Sequence, residues 1–124
     1  MVRTFFFNLR ERPLEAIKNG TKNIEVRANK KKKSGNAANL IKAGDAIIFQ
    51  KENSNEKLQC IAERITLYKT VRDLLLSEGT EFTLSSTKNL EEGIKSIESI
   101  DNYKEVIAKN GVFAIKLKDV KSVP

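Results

Sequence analysis

The stretch from residue 46 to residue 69 constrains the fold more than any other. Ala46-Ile47-Ile48-Phe49 is an unbroken apolar run of the length of a fully buried strand. Asn53-Ser54-Asn55-Glu56 supplies turn chemistry, and a long strand follows over roughly 57–69, from Lys57 through Ile61 and Ile65 to Tyr68. Two strands joined by so short a turn run antiparallel. A doubly wound parallel sheet is therefore disfavoured from the outset.

The flanking residues fit the same picture. Residues 2–9 read as a strand with three consecutive phenylalanines, so Phe6 falls on the face opposite Phe5 and Phe7, either packed by a helix or exposed for stacking. Pro13 suits the first position of a short helix carrying Leu14 and Ile17, with Gly20 as its stop. Residues 23–28 alternate polar and apolar, as a half-buried strand does, and residues 29–39 are a polar loop. Thr70 and Asp73 form a capping-box variant opening a helix that ends at Gly79. Leu90, Ile94 and Ile97 mark a second helix, started by Ser86 or Thr87. Asp101 is placed to cap a third, with Tyr103, Val106 and Ile107 inward and Gly111 as its stop, and residues 112–120 close as a strand. The expected architecture is α+β: one domain over 1–124 built on a small, mostly antiparallel β-barrel with flanking helices.

Composition narrows the chemistry. The chain has no histidine, which removes Ser-His-Asp and Cys-His catalysis and histidine-based zinc sites; the single cysteine, Cys60, supplies neither a metal cluster nor an internal disulfide. Cys60 reads as a small buried hydrophobe. No metal and no cofactor is expected. The apolar run near the N-terminus is too short for a secretory signal and no run approaches a membrane span, so a cytoplasmic home is expected. The net charge of +7 is carried entirely by residues 1–33, which hold ten Lys/Arg against three Asp/Glu, while the remainder balances. A local basic field of this kind attracts polyanions, nucleic acid first among them.

One cluster carries the chemistry: Gly20-Thr21-Lys22-Asn23-Ile24-Glu25-Val26-Arg27. Ile24 and Val26 take one face of the strand, Asn23, Glu25 and Arg27 the other, and Lys22 can swing to the polar face from the turn. As a turn residue, Lys22 is expected to contribute little packing. The pattern G-x-K-x-x-E-x-R resembles the signature of the ASCH domain family, relatives of the PUA RNA-binding domains. The likeness extends to the helix Arg12–Asn19, to Ala43-Gly44-Asp45-Ala46-Ile47-Ile48-Phe49, and to Gly111-Val112-Phe113-Ala114-Ile115-Lys116-Leu117 after the Tyr103-bearing helix.

The resemblance implies a PUA-like barrel whose motif residues line a cleft, serving RNA binding, RNA processing or nucleoside chemistry. One branch of the family hydrolyses N4-acetylcytidine with a lysine, a threonine and a glutamate. Lys22 falls on that lysine, Glu25 stands at the threonine position, and Glu78 or Glu81 could match the glutamate. Another branch is reported to cut RNA. Two readings follow. In the first, Thr21, Lys22, Glu25, Arg27 and the lysine loop Lys30, Lys31, Lys32 and Lys33 form a basic cleft for RNA or a modified nucleoside or nucleotide. In the second, Lys22 with Glu25, Glu78 or Glu81 makes a small hydrolase.

Overall fold

A computed structural model describes residues 3–124, so Val2 of the expected first strand lies outside the described residues. Five strands, β1 (Thr4–Leu9), β2 (Ile24–Ala28), β3 (Ala46–Lys51), β4 (Lys57–Tyr68) and β5 (Val112–Val123), form one sheet in the order β1-β3-β4-β5-β2. The hairpin read from the sequence is its spine, with Ala46 opposite Ile61 and Phe49 opposite Leu58. The β3–β4, β4–β5 and β5–β2 pairings are antiparallel; β1 alone pairs in parallel, Thr4 opposite Ala46. Register shifts between Gln59 and Ile61 and between Ala62 and Arg64 bend β4 against β5. Such bulges add local twist, and the sheet curls into a half-barrel whose free margins are β1 and β2.

Helix α1 (Glu11–Lys18) connects those two margins and packs Leu14 and Ile17 into the hollow. There they meet Phe5, Ile47, Phe49, Leu58 and Ile115 in an inner core. The outer face of β2 and of the adjoining halves of β5 and β4 is covered by α2 (Val71–Glu78), α3 (Leu90–Glu98) and α4 (Tyr103–Asn110). That second core joins Ile24, Ala28, Val112 and Ala114 to Val71, Leu74, Ile97 and Ile107. Full burial of each such aliphatic or aromatic side chain stabilises by about 1.5–3 kcal/mol over exposure, so both faces hold the sheet.

Local chemistry explains where the elements start. Thr70 accepts a hydrogen bond from the Asp73 amide at 3.0 Å, the expected cap. Helix α1 begins at Glu11, two residues before Pro13, which sits in the first turn where an N–H has no intrahelical partner anyway. Helix α3 begins at Leu90 and not after Ser86 or Thr87: Asn89 caps the Glu92 amide at 3.0 Å, while Thr87 bonds the Glu92 carboxylate. Asp101 does not cap α4; Asn102 precedes the helix in a left-handed conformation at φ 66° and makes no side-chain cap. Among the described residues no helix is long and apolar enough to cross a membrane.

Candidate functional site

The alternation in β2 has an inside and an outside, but the polar side is not simply solvated. Ile24 and Ala28 enter the outer core. Glu25 lies opposite Ile115, and Arg27 opposite Phe113, on the side of the sheet that faces the hollow. The motif's charges therefore stand at the open margin of the half-barrel.

Lys22 reaches this place through the end of α1. Gly20 turns the chain at φ 86°, and Thr21, exposed, bonds Asn19 through both its amide and its hydroxyl. The Lys22 amide returns to the Ala16 carbonyl at 3.0 Å. Its ammonium then turns inward, 6% exposed, and donates to the carbonyls of Ile24 and Thr83, the latter at 2.6 Å. The Glu25 carboxylate stands 3.6 Å away. Two of the ammonium's three donors thus meet carbonyls, and Glu25 adds an ion pair. Desolvation pulls the Lys22 pKa below its ordinary value, opposed by Glu25 and reinforced by Arg27 and Lys88. The expected turn lysine contributing little packing is thus corrected: Lys22 is a buried tie between the α1–β2 turn and the α2–α3 connection.

Glu25, equally buried, bridges two cations, with Arg27 Nε closer at 2.8 Å. Arg27 spans the gap between the sheet margins. It donates to the Asn8 carbonyl of β1 at 3.3 Å and lies over the Phe7 ring at 4.6 Å, a cation–π contact. Beside it opens a cavity of about 230 Å³ lined by Phe7, Arg27, Lys30, Lys32, Asn36 and Tyr103, among others. A larger hollow of about 330 Å³, between Leu67 and the end of α4, includes no motif residue. We place the site at the smaller one, because there the charged groups converge.

The lysine loop is pinned. Asn29 accepts from the Lys31 amide, Asn39 exchanges hydrogen bonds with the backbone of Lys32, and Asn36 accepts from the Phe6 amide of β1. All four lysines are exposed, but Lys30 and Lys32 line the cavity and Lys31 and Lys33 do not. Glu78 is held elsewhere: Arg64 grips both its oxygens at 2.6 and 2.8 Å and Tyr68 donates to it at 2.6 Å. Arg64 in turn holds the Glu78 carboxyl below its usual pKa. The Glu81 side chain is exposed, and its backbone carbonyl receives Lys88. Neither glutamate joins Lys22.

Sequence reasoning passed over Phe7, Asn36 and the second role of Tyr103, which is buried as expected yet also walls the cavity. The signal for the loop was present: asparagines recur through 29–39, and their side-chain amides order loops by bonding backbone.

The family model for the ASCH domain matches residues 7–121. The chain belongs to the ASCH domain family, and its α+β half-barrel is the PUA-like fold of that family. The crystal structure of the hypothetical protein PH0355 superposes with a TM-score of 0.77 at 33% identity, covering 93% of this chain and 97% of that one. The solution structure of Protein PF0455 from Pyrococcus furiosus gives a TM-score of 0.63 at 29% identity, covering 93% and 96%. A mutant of the ASCH protein of Zymomonas mobilis shares the fold at 17% identity, with a TM-score of 0.62 and coverage of 97% and 70%. No curated protein matches the chain.

Proposed function

We propose that this protein, working as one ASCH unit in the cytoplasm, binds RNA or a nucleotide in the cleft beside Arg27. The observation that carries this reading is the cationic, aromatic-walled recess formed by Arg27, Lys30 and Lys32 with Phe7 and Tyr103. Lysines at its rim attract phosphate, and Glu25 fixes the guanidinium so that ordering it costs little on binding. The family's broadly RNA-binding character and the +7 charge support the same reading.

Two observations favour binding over hydrolysis. The Lys22 ammonium is buried, bonded to two carbonyls and paired with Glu25, and Lys22 is not part of the recess lining. The recess, at about 230 Å³, runs to the lysine loop, with Lys30 and Lys32 in its lining, as a groove that tracks a phosphate backbone does. The test is fluorescence anisotropy of a short labelled RNA, titrated with wild type and Arg27→Ala between about 50 and 200 mM salt. Wild type should bind with a steep salt dependence and Arg27→Ala should weaken binding at least tenfold. Equal affinity in a folded Arg27→Ala variant would overturn the cleft.

A further inference from the structure

The helices cover only part of the outer sheet face. Across β1, β3, the first half of β4 and the last half of β5, that face has no helix on it. Strand register sets three rows of four residues there, each row crossing all four strands. The middle row is Phe6, Ile48, Gln59 and Lys121. The flanking rows contribute Lys118 and Lys57. The three rows include three lysines and no Asp or Glu, in a chain with 16 acidic residues. Phe6, opposite in parity to the buried Phe5, is 55% exposed.

We infer that this bare sheet face is a second nucleic-acid contact, on which a base of single-stranded RNA stacks against Phe6 while its phosphates meet Lys57, Lys118 and Lys121. This extends the proposed RNA binding beyond the cleft and rests on that reading. A flat aromatic on a basic sheet is the combination that holds single strands irrespective of sequence. Phe6 and Lys121 stand three strand spacings apart, roughly 14 Å, a distance a short oligonucleotide spans. Charge argues for this occupant: the rows carry Lys57, Lys118 and Lys121, against one exposed acid, Asp119, at the β5 bulge between the last two. Strand addition is not offered here, because the free edge of β1 is occupied, Phe6 N–H by Asn36 and Asn8 C=O by Arg27. The two contacts share that edge, so one strand of RNA can pass from the cleft over the loop onto the sheet.

The experiment is anisotropy of labelled oligouridine against wild type, Phe6→Ala, Phe6→Tyr, the pair Lys57→Ala/Lys121→Ala, and Arg27→Ala, with circular dichroism and sedimentation on each. Phe6→Ala should weaken binding on the order of tenfold, and Phe6→Tyr, which keeps a stacking ring, should retain it. The lysine pair should reduce the slope of log affinity against log salt by about 0.7 per lost phosphate contact. If Phe6→Ala binds like wild type while Arg27→Ala fails, the sheet face falls and the cleft stands. If Phe6→Ala fails and Arg27→Ala binds, the cleft falls and the sheet face stands. No binding by wild type overturns both. If Phe6→Ala leaves RNA affinity intact and instead dissolves a dimer, the face belongs to a second copy of the chain and the inference is wrong.

Discussion

Lys22 and Glu25 face each other at 3.6 Å with each side chain less than a tenth exposed. Charges so placed cost the fold desolvation, and removing Lys22 leaves Glu25 paired with Arg27 alone. Lys22→Ala should therefore destabilise by about 2–4 kcal/mol in urea unfolding at neutral pH. Part of this arises because the carbonyls of Ile24 and Thr83 lose their donor. Lys22→Met, which keeps the stem, should recover part of the loss. Arginine at this position should also destabilise, by about 1–3 kcal/mol, because the wider guanidinium must enter a filled site. A Lys22→Ala midpoint within error of wild type would refute the buried tie.

Cys60 reports on the inner core from β4. Burial, aided by Glu25, pushes its thiol up to about 12 from an ordinary 9.0. The unfolded thiol ionises first, so between those values the folded state holds the extra proton. Its stabilising contribution is complete below pH 9.0 and is lost as pH climbs toward about 12. Cys60→Ala should flatten the alkaline fall in stability across that window. At pH 8 a disulfide reagent should label the native protein only as fast as it opens, and rapid labelling without denaturant would contradict the packing.

The fold was legible where local chemistry and burial agree. The hairpin, the alternation in residues 23–28 and the Thr70 cap all follow from residues close in sequence. Strand pairing at long range was less legible. Nothing local marks Phe5 as the parallel neighbour of Ile47, because the two strands are far apart in the chain and apolar runs pair in either direction. The site was legible as a set of residues and misleading as an environment. Period-2 alternation separates the two faces of a strand but does not say which one meets water. In β2 the charged face looks into the hollow, so Lys22 and Glu25 are buried although the pattern reads as a solvated side. Glu78 was drawn toward Lys22 by sequence position, whereas Arg64, fourteen residues earlier but adjacent across the β4–α2 turn, claims it.

Glu78→Gln tests that assignment. Its carboxyl is held low chiefly by Arg64, so its contribution is present above pH 4.5 and is lost as pH falls through the lower folded value. The variant should lose stability at neutral pH and show a shallower decline in acid than wild type. Its RNA affinity should be unchanged. An impaired affinity in a folded Glu78→Gln protein would return this glutamate to the functional site.

The lysine loop divides into two pairs that sequence alone treats as equal. Lys30 and Lys32 line the recess beside Arg27, and Lys32 is held there by Asn39. Lys31 and Lys33 lie outside that lining, and Lys31 adopts a left-handed backbone at φ 47°. Replacing Lys30 and Lys32 together by alanine should lower RNA affinity and reduce the salt slope by about 1.4, at roughly 0.7 for each phosphate contact. Replacing Lys31 and Lys33 should change the slope by less than half as much, since they act only through the general field, which salt screens within about 10 Å at 0.1 M. Asn39→Ala provides the intermediate case: it keeps every charge but frees the backbone of Lys32, so affinity should fall while the salt slope stays near that of wild type. Equal slopes for the two lysine pairs would mean that the loop acts as undirected charge, and that the recess does not choose between its lysines.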